Sequence, residues 1–363
     1  MAGPLTGLTI IEMAGLGPGP FAAMMLADHG ARVIRVERPG NLSVPNDPLT
    51  RNRESIALDL KQEEGRAIVR ALAERADGLI EGYRPGVMEK LGLGPGELLA
   101  ANPRLVYGRI TGWGQEGPLA QEAGHDINYL AITGLLSCIG EPDRPPVPPL
   151  NLVADYGGGG LMLAFGMVSA LLAVQRGGEG QVIDAAMSDG AALTGALIFG
   201  LRAAGFWQDR RGANLLDGGD PIYGCYRCAD GRELAIGAME PQFRMALFAG
   251  LGLSGAPSKA DIAEAVARRT RDEWVELFAD KDACVAPVLG LGEAPEHPHN
   301  RARGTFIDLD GVVQPAPAPR YSASATERPR SPRREGEDGA AILAELGYPE
   351  GAISDLKDKG VLR

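Results

Sequence analysis

Short runs of β-branched and apolar residues recur along the first third of the chain, at 8–13, 32–36, 55–58, 77–81 and 105–111. Each has the length of a strand and is too short for a helix of ordinary size. Between several of them lie stretches with helical spacing of apolar positions, such as MMLADHGA and EEGRAIVRALAERA. Strands alternating with helices predict an α/β fold with a doubly wound parallel sheet. A long apolar helix is predicted over 157–176, following a run of four glycines. The segment GQVIDAAMSDGAALTGALIFGLRAAGFW then predicts a strand followed by a second long helix that leaves the domain.

The pattern changes over 222–240. In IYGCYRCADGRELAIGAM the apolar residues nearly alternate, and Asp230–Gly231 supplies a hairpin turn. Helical segments follow, PQFRMALFAGLGL and DEWVELFADKD among them, so a smaller α+β domain is predicted over 223–310. A Pro-rich return segment covers 315–333, and one or two helices end the chain. The predicted division is a large α/β domain from 1–186 and 330–363, linkers at 187–222 and 311–329, and the small domain between them. No internal repeat is visible.

Composition narrows the classes. The 363 residues are 45% apolar, which permits a substantial core, and the net charge of −11 makes a poor nucleic-acid binder. The one basic run, RPRSPRREGED, is Pro-rich and mixed in sign, as a solvated linker would be. Cys225 and Cys228 form a lone C-x-x-C with no second pair at zinc spacing, so they are read as hairpin residues. No secretion signal is seen, and the run LMLAFGMVSALLAV (161–174) is shorter than a bilayer span. The chain ends in GVLR, which is no peroxisomal address. A cytoplasmic protein without membrane contact is the expectation.

Four places can carry chemistry. The turn GLGPGP after the first strand has Gly15 and Gly17 where a dinucleotide fingerprint needs them, but Pro20 where it needs a third glycine. At the end of the second strand, Glu37 suits a ribose hydroxyl and Arg38 a phosphate, and Arg51, Arg53, Lys61, Arg84 and Lys90 offer further basic contacts. Second, His125 in AGHDINYLA is one of only four histidines. It is suited to proton transfer near neutral pH, while His125 or Asp126 would serve equally as a helix cap. Third, Asp155 in PPLNLVADYGGGG ends a strand-like run ahead of four glycines. That places a carboxylate beside backbone N–H groups able to meet an oxyanion, or makes an N-cap with a flexible turn. Fourth, Glu240 in GAMEPQF precedes a helix and would cap it. Met162, Met167, Met187 and Met239 offer an adaptable apolar surface, although methionines at such spacing more often belong to a core.

Taken together, GHDINYLA, PPLNLVADYGGGG, GQVIDAAMSDG, ANLLDGG and GAMEPQF, with the opening segment over 5–40, resemble the α-methylacyl-CoA racemases of the class III CoA-transferase superfamily, from residue 3 to about 320. The resemblance implies an interlocked homodimer with a Rossmann-like large domain and a small domain. It implies a fatty acyl or steroid-type 2-methylacyl-CoA substrate, no metal, and no cofactor besides the coenzyme A of the substrate. His125 and Asp155 take the acid–base roles, and Glu240, from the partner chain's small domain, supports the histidine. Coenzyme A contacts are implied for Arg38, for Leu58 and Lys61, for Gly82, Tyr83 and Arg84, and for Lys90, which stands where the family pattern has arginine. Gly124, Asp126 and Tyr129 are implied to line the thioester. In the transferases of the same superfamily the aspartate at position 155 would instead be a nucleophile.

Overall fold

Six strands pair into one parallel sheet in the computed structural model, which describes residues 2–40, 44 and 46–363. In chain order the elements begin β1 (Thr9–Met13), α1 (Pro18–Asp28), β2 (Arg32–Glu37), β3 (Arg53–Ala57), α2 (Glu63–Ala73) and β4 (Gly78–Glu81). They continue with α3 (Val87–Lys90), α4 (Pro95–Ala101), β5 (Val106–Thr111) and α5 (Asp126–Ala131). A π-helical stretch (Leu152–Gly160) runs into α6 (Leu161–Gln175), followed by β6 (Val182–Ala186) and α7 (Met187–Thr194). The strand order is β3-β2-β1-β4-β5-β6. That is the common doubly wound order, and it reverses between β1 and β4, where such sheets open a crevice at their carboxyl ends.

Alternation along the strands supplies both faces of the sheet. Ile11, Leu79 and Tyr107 share one core with Ile68 and Leu72 of α2 and with the C-terminal helices α13 and α14 (Gly339–Glu345 and Glu350–Asp358). On the other face, Met167 and Leu163 of α6 sit directly over Gly78 and Gly108, where a Cβ would come within 2.8 Å of them. Glycine in these strands is therefore what lets α6 lie close to the sheet.

The chain divides into two compact units, the first formed by Met1–Thr133, Leu150–Thr194 and Gly304–Arg363. The second comprises Gly134–Pro149 and Gly195–Arg303. The predicted linker 187–222 is shared out, with α7 in the first unit and the rest from Gly195 in the second. The second unit contains α8 (Ala196–Ala203), the hairpin β7 (Tyr223–Arg227) and β8 (Glu233–Gly237), α9 (Pro241–Leu251), α10 (Lys259–Val266) and α11 (Arg271–Phe278). It also has the short β9 (Val285–Pro287) and α12 (Pro298–Arg303). Leu234, Ile236, Leu247, Ile262, Trp274 and Phe278 make its core. Gly231 turns the hairpin at φ +79°, as the Asp230–Gly231 pair predicts. Back in the first unit, β10 (Phe306–Leu309) and β11 (Val312–Pro315) form another antiparallel hairpin where the sequence reading began a linker.

Two expectations about the apolar helix need correction. Asp155 lies inside the helical stretch, and the four glycines after it are helical too. The run continues unbroken for 24 residues from Leu152 to Gln175, so its length alone does not rule out a bilayer; half of its most apolar portion is buried in the protein. The glycines serve close packing. A Cβ on Gly158 would stand 2.4 Å from Ala191 N, and one on Gly190 of α7 would stand 1.8 Å from Gly158 O. Gly159 and Gly160 meet Met187 and Phe21 in the same way, at 2.7 Å each. Gly190→Ala should therefore force the two helices apart and destabilise the protein by about 1–3 kcal/mol. Urea unfolding of the variant checks this; a midpoint equal to that of the parent would contradict it.

Charge is also buried here. Glu12 of β1 is fully enclosed and receives Arg53 Nε at 2.9 Å and Arg35 Nη1 on its other oxygen. Arg51 is buried against Asp28 at 2.5 Å and also donates to Gln314 and to the Pro315 carbonyl. Arg51 and Arg53 were candidate phosphate contacts in the sequence; both are instead committed to buried carboxylates.

Candidate active site

The carboxyl ends of β1, β4 and β5 surround a crevice of about 680 Å³ at the point where the strand order reverses. Gly82, Tyr83, Arg84, Gly124, His125, Tyr129 and Asp155 all line it. Chain topology accounts for the gathering. The glycine loop after β1, the GYR segment after β4 and the loop before α5 all leave the sheet at the same edge.

His125 occupies the cap position of α5, and its N–H donates to Asn128 Oδ1 at 3.1 Å. Its exposed side chain faces the crevice. Asp155 is half-buried and receives a weak hydrogen bond from Asn151 at 3.4 Å. Burial pushes its carboxyl above the usual aspartate range; the nearby Asp126 charge adds to this, while Asn151 and His125 oppose it. Gly17 of the glycine loop approaches so closely that a Cβ there would lie 3.4 Å from Asp155 Oδ2. Its φ of +66° is a second reason for glycine.

Tyr129 is fixed from several sides. Its hydroxyl donates to the Gly124 carbonyl, and its ring meets Trp113 edge-on at 4.8 Å between centroids. A Cβ on Gly112 would overlap the ring at 2.0 Å, so that glycine makes room for the tyrosine. Tyr83 is partly buried, and its N–H donates to Glu81 Oε2 at 2.7 Å. Burial raises its phenol and the Glu81 charge adds to that, against the pull of Arg35 and Arg38.

Other residues singled out from the sequence stand elsewhere. Arg38 is exposed at the end of β2, close enough to Tyr83 and Asp59 to act on their charges. Lys61 is exposed and its N–H donates to Asp59 Oδ1 at 3.0 Å. Lys90 is exposed at the end of α3. The Leu58 side chain is fully buried in the core, so it presents no surface to a ligand. Asp126 is also buried, and its carboxylate accepts the N–H groups of Ala154 and Asp155 rather than facing the crevice. Glu240 belongs to the second unit, exposed at the cap of α9. Glu37 takes hydrogen bonds from Arg35 and Ser55, which leaves Arg38 as the more available group on that loop. Of the four methionines named from the sequence, Met162 is half-buried on α6, Met167 is core, Met187 lines the crevice, and Met239 is exposed in the second unit.

Fold and crevice together define a doubly wound α/β protein whose crevice at the switch point is lined by a histidine and an aspartate. The chain belongs to CoA-transferase family III, which residues 5–338 match. It is 46% identical to an α-methylacyl-CoA racemase of Mus musculus, across 97% of this chain and 96% of that protein. It is 44% identical to an α-methylacyl-CoA racemase of Homo sapiens, across 99% and 97%. Among solved structures, a CAIB/BAIF family protein from Brucella suis superposes with a TM-score of 0.83 at 30% identity, covering 95% of this chain and 100% of that one.

Proposed function

We propose that the protein is an isomerase that interconverts (R)- and (S)-2-methylacyl-CoA thioesters. The observation that carries this reading is the joint presence of His125 and Asp155 in one crevice, in a chain similar throughout to the racemases named above. The hydrogen on the carbon next to a thioester is very weakly acidic, so its removal needs a base together with stabilisation of the enolate oxygen. One group takes the proton from one face, and the other returns a proton to the opposite face. With the opposite enantiomer the roles exchange. A carboxyl raised above the usual aspartate range by burial suits an aspartate that must both accept and donate a proton in the cycle.

Coenzyme A would be held along the loops after β2, β3 and β4, with Arg38, Lys61, Arg84 and Lys90 toward its phosphates and Gly82 and Tyr83 beneath it. Glu240 would orient the imidazole from a second copy of the chain. A homodimer is supported by the uncovered apolar face of α6. Leu161, Phe165, Val168 and Leu172 lie at helical spacing and are 43%, 72%, 39% and 46% exposed.

The family also contains transferases, which gives the second reading: Asp155 as a nucleophile forming an acyl anhydride. Incubating the protein with a single enantiomer of a 2-methylacyl-CoA in deuterated water separates the two. Deuterium at the α carbon with loss of optical purity is the expected result. Transfer of coenzyme A to an added carboxylate without α exchange would establish the transferase instead.

A further inference from the structure

We propose that Asp126 is a positioning residue that couples the two acid–base groups: its backbone follows His125 directly and its side chain holds the amide of Asp155. The proposal rests on the racemase reading for its kinetic consequence. Asp126 is the first residue of α5 and is 5% exposed. Its Oδ2 accepts the N–H groups of Ala154 and Asp155, both at 2.8 Å. These belong to the first turn of the helical stretch that begins at Leu152, where backbone donors have no partner within their own helix. The cap thus comes from a different element, the one that carries His125. Any shift of α5 relative to the stretch at 152–160 must break these two bonds, so this carboxylate ties the positions of the two reacting groups together.

The other oxygen, Asp126 Oδ1, is buried and has no hydrogen-bond partner among the described residues. Asp126 also acts electrostatically on Asp155, raising its carboxyl. The remaining groups facing Asp155 are few. His125 and Tyr129 face it from α5 and its cap, and Asn151 from its own segment. The neighbouring α7 presents Met187, Gly190 and Ala191 to the glycine stretch, and α1 presents Pro18 and Phe21; none of these is titratable.

The test compares D126A and D126N in the full-length protein. Misplacing a reacting group by about 1 Å costs on the order of 10²-fold in rate, so D126A should lose about that much kcat in both directions with little change in KM. Asparagine keeps an acceptor oxygen for the two amides, and D126N should recover at least about tenfold of that loss. Without the negative charge, the acid limb of its pH–rate profile should move to lower pH, and so should the titration of the Asp155 carboxyl followed by carbon NMR. A D126A kcat within threefold of the parent would overturn the proposal, as would an equal loss in both variants with the acid limb unmoved. If the parent showed no α-proton exchange at all, the racemase reading would fall. The NMR titration would then decide the role of Asp126 by itself: unchanged Asp155 titration in D126N rejects it, and a downward shift upholds it.

Discussion

Asp155→Asn and His125→Ala should each lower racemisation by about 10²–10⁴-fold in both stereochemical directions, the usual contribution of one general acid–base group. The two variants should differ in what they retain. A crevice with one remaining base can still remove and replace the α proton on that base's own face. Each variant should therefore keep slow α-deuterium exchange, without inversion, on one enantiomer, and the favoured enantiomer should switch between the two. Proton NMR of recovered thioesters gives both quantities. Near-parental racemisation in either variant, or residual exchange on the same enantiomer in both, would refute the assignment. The pH profile adds a check. Turnover needs one proton shared between the pair, so activity falls on the acid side as Asp155 becomes protonated alongside a charged His125. Burial and the Asp126 charge raise the Asp155 carboxyl, so that fall should come at higher pH than for an ordinary aspartate, near 3.9.

Glu12→Gln should destabilise the first unit by about 3–5 kcal/mol, the usual result of removing one partner from a buried ion pair. Glu12 lies between two buried arginines, and removing its charge leaves Arg53 without its carboxylate partner and Arg35 with Glu37 alone. Burial opposes ionisation of Glu12, but Arg35 and Arg53 outweigh it and hold the carboxyl below the usual range. Because its folded pKa is depressed, Glu12 contributes stability that is fully present above the unfolded glutamate value of about 4.3. That contribution is lost as pH falls through the folded value. Urea midpoints measured across the acid range should converge for parent and variant; a constant difference down to strongly acid pH would contradict the account. The effect reaches the crevice, since Arg53 also donates to the Pro20 carbonyl at 2.6 Å, next to the glycine loop.

The parallel sheet was legible because its strands are short apolar runs separated by amphipathic helices. Their positions agree within two residues, and the largest offset is at the start of β3. That strand begins at Arg53, a charged residue that sequence reading assigns to a loop and that only the buried Glu12 makes tolerable. The setting of Asp155 was not legible. An apolar run of a few residues suits a strand or a buried helix equally, and four glycines suggest a loop until a second glycine, Gly190, is brought against them. Likewise, nothing in GHDINY distinguishes the outward His125 from the inward Asp126; that difference arises from where the 152–160 stretch packs. The hairpin at 306–315 had a readable sign, the Asp310–Gly311 turn between alternating residues. Arg51 and Arg53 misled because clustered basic residues near strand ends look the same whether they await a phosphate or already hold a carboxylate.

The strand order has a consequence for redesign. On the proposed assignment, the grip on coenzyme A is encoded before residue 91, whereas His125 and Asp155 come from later segments that enter the crevice from its other side. The two duties are thus written in separate stretches of the gene. Libraries confined to 123–130 and 151–156 would sample new reactions on the same thioester handle, and changes confined to the loops after β2, β3 and β4 would alter the handle and leave His125 and Asp155 in place.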